Sequence, residues 1–420
     1  MGPHEDEDRA PHVLIIIENL PLRLDRRVRS ECAALRQAGY RVSVICPKEE
    51  PEDPDLHVLD GVHVHSYRAV EGGRGTASYV WEFATSFLQS ARLSLRVHRS
   101  LPFDVLQACN PPDTYWLLGA LWKWRGRPFV YDQHDLCPEV FEARFGHGGF
   151  LHRALLWLER QTYRVADRVI SPNPGYRKIA LRRGLVPPHA STVVMSTPDA
   201  ERMVRGEPHP ELRGPFEHLV CYVGIMGPQD GVDNVLMMVD AYVHRLGRTD
   251  THFALLGFGD SYEALRADCT ARELDPWVTF TGRVDHDEIG RWLSTADLGV
   301  TPDPPNDFND RSTMNKTLEY MAHEVPVVAV DLTETRRCAQ DAAVYVSGTD
   351  RLEAAQAIAE LLDDPGRRER MGRIGRSRIE HDLSWAAQAR AYVGVFDDLT
   401  APHRDPRPDG PQKGLIRHDT

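Results

Sequence analysis

Apolar residues along this chain fall into short unbroken runs, separated by stretches in which they recur at helical spacing. In the first half the runs are His12–Glu18, Arg41–Cys46, Val62–Ser66, Asp104–Gln107, Pro128–Tyr131, Arg168–Ser171 and Thr192–Met195. In the second they are His218–Val223, His252–Leu256, Val278–Thr281, Leu298–Thr301, Val325–Val330 and Ala343–Val346. Unbroken apolar runs of this length read as strands covered on both faces. The amphipathic stretches predict helices over Asp25–Ala38, Ala77–His98, Pro111–Trp124, Leu151–Val165 and Gly175–Arg183. They continue with Val232–Leu246, Ser261–Arg272, His286–Ser294, Asn315–His323, Leu352–Leu362, Arg367–His381 and Trp385–Asp398. This alternation predicts an α/β protein with parallel sheets and right-handed crossovers, organised as two Rossmann-like halves. Residues 199–215, rich in proline and poor in apolar side chains, separate the halves.

The stretch Arg311–Val330 carries the most informative pattern. Leu318, Met321, Ala322 and Val325 fall at core-face spacing, while Lys316, Glu319, Tyr320 and His323 share the opposite face. Ser312 or Thr313 is the expected N-cap, and a lysine in the first turn of a helix favours an anion there. The alternative is an ordinary helix whose polar face meets water. His134 and Asp135 directly follow a strand, where ligands gather in open α/β sheets, although a lone histidine is as readily structural. The first loop, Asn19–Asp25, contains no glycine, which excludes a dinucleotide-binding turn and hence a dehydrogenase. Asp25 there reads as a helix cap, with Arg26, Arg27 and Arg29 on a solvated side. Helix Ala77–His98 combines Tyr79, Trp81, Phe83, Phe87 and Leu88 with Arg92, Arg96 and Arg99. It reads as a core helix with a charged edge or as a membrane-surface contact. The Asp- and Asn-rich loop Pro304–Asp310 lacks the glycine and terminal glutamate of a calcium loop, so no metal site is expected.

Composition narrows the function. The 420 residues are 41% hydrophobic and 27% charged, with a formal charge of -12 from 50 basic and 62 acidic residues. That balance argues against a nucleic-acid partner. Seven cysteines are scattered without a CxxC pair, which favours a reducing compartment. No apolar run reaches membrane-spanning length and no signal peptide opens the chain, so a cytoplasmic protein is expected. An acidic tail over residues 1–10 and a disordered tail over 400–420 are expected at the ends.

The ordered set VGIMGPQDGVD, LLGFGD, VTFTGRVDHDEIGRWLSTADLGVTP and KTLEYMAHEVPVVA resembles the family-4 glycosyltransferases of the GT-B fold, over nearly all of Val13–Leu399. The resemblance implies two Rossmann-like domains facing across a cleft. Residues 1–198 would form the acceptor domain, 216–383 the nucleotide-sugar domain, and 384–399 a C-terminal helix packing back toward the first domain. It implies retaining sugar transfer from a UDP- or GDP-sugar to a glycan or lipid-linked acceptor, with no required cofactor and no metal. Peripheral membrane contact through residues 77–99 would suit a lipid-linked acceptor at the inner membrane face.

Carried over by position, Glu319 matches the second glutamate of the family's paired-glutamate motif and would accept hydrogen bonds from the donor ribose. Lys316 lies at the phosphate-facing turn beside Asn315. Gly224 stands where backbone approaches the diphosphate. Arg283 and Val284 match the loop that holds the base, and His134 matches a histidine contacting the transferred sugar. The sequence departs from the family at the motif's first glutamate, replaced by Arg311, and at two cations, replaced by Ile225 and Asp230. The expected compensation is that Arg311 and Lys316 neutralise the diphosphate while Asp307 or Asp310 takes the vacant carboxylate role. The alternatives are a nucleotide-sugar epimerase of the same fold, or a catalytically impaired nucleotide-sugar-binding relative.

Overall fold

A computed structural model describes residues 10–69, 76–145 and 148–401. The acidic run Glu5–Asp8 and residues 402–420 lie outside the described residues. The apolar runs become strands β1 (His12–Ile16), β2 (Arg41–Pro47), β3 (Leu56–Leu59), β4 (Val62–Tyr67), β5 (Val105–Cys109), β6 (Phe129–Asp132), β7 (Arg168–Ser171) and β8 (Ser191–Val193). The second half supplies β9 (His218–Val223), β10 (Thr251–Leu256), β11 (Val278–Gly282), β12 (Leu298–Thr301), β13 (Val327–Val330) and β14 (Ala343–Val346). One eight-stranded sheet runs β3-β4-β2-β1-β5-β6-β7-β8 and one six-stranded sheet runs β11-β10-β9-β12-β13-β14. Strand β3 was not expected from the pattern. It pairs antiparallel with β4 and leaves Leu56 and Val58 exposed, as an edge strand of four residues does.

Contact density divides the chain into two compact units. The first comprises Met1–Tyr131, Val165–Arg168 and Tyr392–Thr420. Its centre is β1, buried at every position. Asp25 caps helix Arg26–Gln37 by accepting from the Val28 amide at 3.0 Å. Arg27 is not solvated as expected: its side chain is 8% exposed and lies 3.0 Å from the fully buried Glu31 carboxylate. Gln107 also donates to Glu31 at 3.0 Å, because a buried charge must be paired and hydrogen-bonded. Helix Thr76–Ser100 buries Ser86, Ser90, Ser94 and Val97, while Trp81, Leu88, Arg92, Arg96 and Arg99 face outward. The small residues thus form its packing face, and the aromatic core expected of it is only partly realised. The last helix, Trp385–Thr400, extends past the expected end. Tyr392 donates to Gln107 at 2.6 Å and Tyr40 to Asp397 at 2.7 Å, so its final turns are held in this unit.

The second unit comprises Asp132–Arg164 and Val169–Ala391. Its six-stranded sheet is parallel throughout. Leu219, Cys221 and Val223 of β9 enter one core layer and Val220 and Tyr222 the other, the period-two alternation of a strand covered on both faces. Arg376 donates to the carbonyls of Ala200, Met203 and Ala322 at 2.7, 2.6 and 2.8 Å. Arg205 donates to those of Ser294, Ala296 and Glu324. Two guanidinium groups therefore hold the proline-rich segment in place. The chain order of strands reverses at β9, which has β10 on one side and β12 on the other. In open parallel sheets the carboxyl ends of strands at such a reversal leave a crevice where ligands bind.

Candidate functional site

At the carboxyl ends of β9 and β12 stand glycine-bearing turns and helix Asn315–Ala322. Gly224 follows β9 with φ at 152°, a conformation that a side chain disfavours. A Cβ built on Gly257, after β10, would fall 1.8 Å from the Gly224 carbonyl oxygen. One built on Gly259 would fall 2.7 Å from the Met226 carbonyl oxygen. Glycine at these positions is thus a packing requirement, and it leaves a floor of peptide groups.

Lys316 closes one side of that floor. A Cβ on Gly224 would sit 3.3 Å from Lys316 Cε, which puts the lysine stem directly against the turn. Its ammonium group donates to both carboxylate oxygens of Asp303, at 2.8 and 3.0 Å, and lies 5.3 Å from the Tyr222 ring centroid. Asp303 follows β12 and Gly224 follows β9, so the lysine spans the strand reversal. Tyr320, one turn on, explains why the helix holds this position. Its hydroxyl accepts from the Val223 amide at 2.9 Å and donates to the Val300 carbonyl at 3.2 Å. The β9–β12 ladder pairs Leu298 with Val220 and Gly299 with Cys221, and the phenol bridges the two strands beyond those pairs. Thr301 and Thr317 add a hydroxyl contact at 3.0 Å.

The alternative of a helix whose polar face meets water does not hold: Glu319, Tyr320 and His323 are 4%, 0% and 3% exposed, and every residue from Thr317 to Ala322 is buried. One expectation is corrected, for Ser312 and Thr313 do not cap the helix. The cap position is Met314, which makes no side-chain hydrogen bond. Ser312 donates to the Phe308 carbonyl at 2.8 Å, and Thr313 to Glu334 at 3.3 Å. The first bond is a local one to the preceding loop and the second a tertiary contact, and neither hydroxyl is left for the helix start.

The remaining expected residues are distributed around this unit. Glu319 stands one turn beyond Lys316, and its carbonyl accepts from His323 at 2.9 Å. Asn315 is exposed at the helix start. Arg283 is exposed after β11 and stacks its guanidinium 4.9 Å from the centroid of Phe258, between the two floor glycines. Val284 packs against the core layer below. His134 pairs through Nε2 with the fully buried Asp132 at 2.8 Å. Arg311 bonds to the carbonyl and the carboxylate of Asp307, both at 3.1 Å, and lies 3.9 Å from Glu139. Asp310 accepts from the Thr333 amide at 2.8 Å. Asn306 accepts from the Phe308 and Asn309 amides, and Asn309 donates to the Gln229 and Pro304 carbonyls. The polar residues of loop 304–311 therefore brace their own backbone and its neighbours.

Where the resembled family carries cations, Ile225 is exposed and Asp230 accepts from the Gly227 amide at 2.9 Å. Sequence reasoning missed Asp303 and Tyr222, the partners that fix the Lys316 ammonium group. It also missed the close-approach role of Gly257 and Gly259, although the spacing in LLGFGD was a usable signal. No helix among the described residues is long and apolar enough to cross a membrane.

Comparison with known proteins agrees with this architecture. Residues 24–196 match the glycosyl transferase 4-like domain and residues 217–364 match glycosyl transferases group 1. Glycogen synthase of Mycobacterium tuberculosis is 28% identical over 427 residues, covering 94% of this chain and 95% of that protein. Among solved structures, sucrose-phosphate synthase of Thermosynechococcus elongatus superposes with a TM-score of 0.72 at 19% identity, covering 93% of this chain and 100% of that one. HepE of Anabaena, in complex with UDP and glucose, gives 0.69 at 14% identity, covering 92% and 100%. These matches lend no support to the epimerase alternative. With both halves matched in order and the strand reversal in place, the chain belongs to the family-4 glycosyltransferases of the GT-B fold and is a hexosyltransferase-type enzyme.

Proposed function

We propose that this enzyme transfers a sugar, with retention, from a nucleoside diphosphate donor to a hydroxyl of a glycan or lipid-linked acceptor. The observation that carries the proposal is the placement of Lys316 across the strand reversal, against the Gly224 turn and within hydrogen-bond distance of Asp303. A diphosphate on the glycine floor meets peptide groups and an ammonium group that has a third hydrogen to donate beside the two given to Asp303. In this reading Lys316 and Asn315 meet the leaving diphosphate, Glu319 accepts from the ribose and Arg283 and Val284 flank the base. His134 meets the transferred sugar, oriented by Asp132. Arg311 contributes once its guanidinium turns from Asp307 toward the donor. Residues 216–383 serve as the donor domain and 1–198 as the acceptor domain. HepE, described in complex with UDP and glucose, supports UDP as the first nucleotide to test.

The chemistry asks the protein for alignment and charge stabilisation. The diphosphate leaves as the acceptor hydroxyl approaches on the same face, and a donor phosphate oxygen takes the hydroxyl proton. Orientation contributes up to about 7–11 kcal/mol in the best cases, and one well-aimed donor about 2.7–4 kcal/mol. A lipid-linked acceptor is favoured by the outward stripe Trp81, Leu88, Arg92, Arg96 and Arg99, an apolar and cationic face suited to peripheral contact with anionic lipid.

Calorimetric titration with UDP and GDP, followed by hydrolysis assays on UDP-glucose and GDP-mannose, tests the proposal. Binding of one nucleotide and slow turnover of its sugar are expected. Absence of binding to either nucleotide would overturn the donor assignment, and binding with no turnover of any nucleotide sugar would favour the catalytically impaired alternative.

A further inference from the structure

Asn173 stands at the start of helix Pro174–Arg182 and uses both ends of its side-chain amide. Its Oδ1 accepts from the Tyr176 amide at 2.9 Å, capping the helix. Its Nδ2 donates to the Arg311 carbonyl at 2.8 Å and to Thr313 Oγ1 at 3.1 Å. The residue is fully buried, so these three bonds stand in for the hydration its amide gives up on folding. Two neighbours reinforce the contact. The Tyr176 hydroxyl lies 3.0 Å from Ser312 Oγ, and a Cβ built on Gly175 would sit 3.5 Å from the Arg311 carbonyl oxygen. Burial pushes the Tyr176 phenol well above its usual range, so it remains a neutral hydrogen-bonding group.

The segment Arg311–Thr313 so gripped leads through Met314 into helix Asn315–Ala322. It also bears the side chain that pairs with Asp307 and approaches Glu139. A cap alone needs only an acceptor, which serine, threonine or aspartate supplies as well. The two donated bonds are what asparagine adds. We infer that Asn173 is a positioning residue, setting the backbone of Arg311–Thr313 and through it the placement of the Arg311 guanidinium and of the helix that carries Lys316. The inference rests on the donor reading above only for its functional consequence; the latch itself stands on the hydrogen bonds.

Asn173→Asp separates the two roles, since a carboxylate still caps the helix but has no hydrogen to donate to the Arg311 carbonyl. Hydrogen exchange of Asn173→Asp, with Asn173→Ala for comparison, is the direct test. In the Asn173→Asp variant at pH 8, amides of residues 306–314 should exchange at least about fivefold faster, while those of 176–182 stay as in the unsubstituted protein. UDP affinity should fall about tenfold, as expected for two lost hydrogen bonds. Lowering the pH until the introduced carboxylate is protonated restores a donor and should return exchange of 306–314 toward its original rate, a recovery the Asn173→Ala variant cannot show. Unchanged exchange in the Asn173→Asp variant overturns the latch. Faster exchange with unaltered UDP affinity overturns the positioning role. If the unsubstituted protein binds neither UDP nor GDP, the donor reading fails while the exchange result still decides the latch.

Discussion

Replacing Glu18 by glutamine should stabilise this protein at neutral and alkaline pH and have no titration-dependent effect near pH 4.5. Glu18 follows β1 and is 8% exposed. The Tyr115 hydroxyl donates to its Oε2 at 3.1 Å. Burial raises its pKa from 4.5 to about 8, outweighing the opposing hydrogen bonds from Tyr115 and Ser86. Between these values the folded state holds a proton that the unfolded state has lost, so stability falls as pH rises through the window. At 1.36 kcal/mol per unit, the loss is about 3 kcal/mol at pH 7 and levels off near about 5 kcal/mol above pH 8. Glutamine keeps an acceptor for Tyr115 and removes the titration; any cost of its buried amide is a pH-independent offset. Urea midpoints for both proteins at pH 5, 7 and 9 give the difference in stability at each pH. A gap that widens in favour of Glu18→Gln toward pH 9 is expected. Parallel profiles would refute the reasoning, because they would mean that Glu18 titrates alike in the folded and unfolded states.

Two further substitutions probe the crevice. Gly257→Ala places a methyl group 1.8 Å from the Gly224 carbonyl oxygen and must displace the turn after β9. UDP binding measured calorimetrically should weaken by at least about tenfold, a shift of about 1.4 kcal/mol, and undiminished affinity would rule out the glycine floor as the nucleotide seat. Lys316→Met leaves Asp303 buried without its cation and should cost about 3–5 kcal/mol in denaturant unfolding. Adding Asp303→Asn should recover most of that stability while UDP affinity stays low; full recovery of affinity in the double variant would remove Lys316 from the donor site.

The alternation of apolar runs with amphipathic stretches was enough to read two parallel-sheet halves. Burial on both faces leaves a strand no polar positions to disguise it, and helical period separates the crossovers. The motifs in the second half likewise singled out Gly224 and Lys316, which the fold sets against each other at the strand reversal, because family resemblance operates on residues close together in the chain. The edge strand Leu56–Leu59 escaped notice because half of its positions face solvent and carry no core signal. The compensating use of Arg27, Ser312 and Thr313 escaped as well. Arg27 pairs with Glu31 one turn on, a carboxylate buried by contact with Gln107, while Ser312 meets Tyr176 and Thr313 bonds to Glu334. Local spacing assigned all three to water or to a helix cap, since it reports neither burial nor a partner brought in by folding.

What the chain determined by itself is therefore the order and kind of its elements, written in periodicities that depend only on neighbouring residues. Tertiary structure alone decided which distant partners several polar groups meet. It paired Lys316 with Asp303 across the reversal of strand order, brought Arg311 to 3.9 Å from Glu139, and set Asn173 against a carbonyl contributed by Arg311. The physical reason is that a buried polar group must find its complement wherever the fold supplies one, and residues distant in sequence become neighbours only after the sheets have formed.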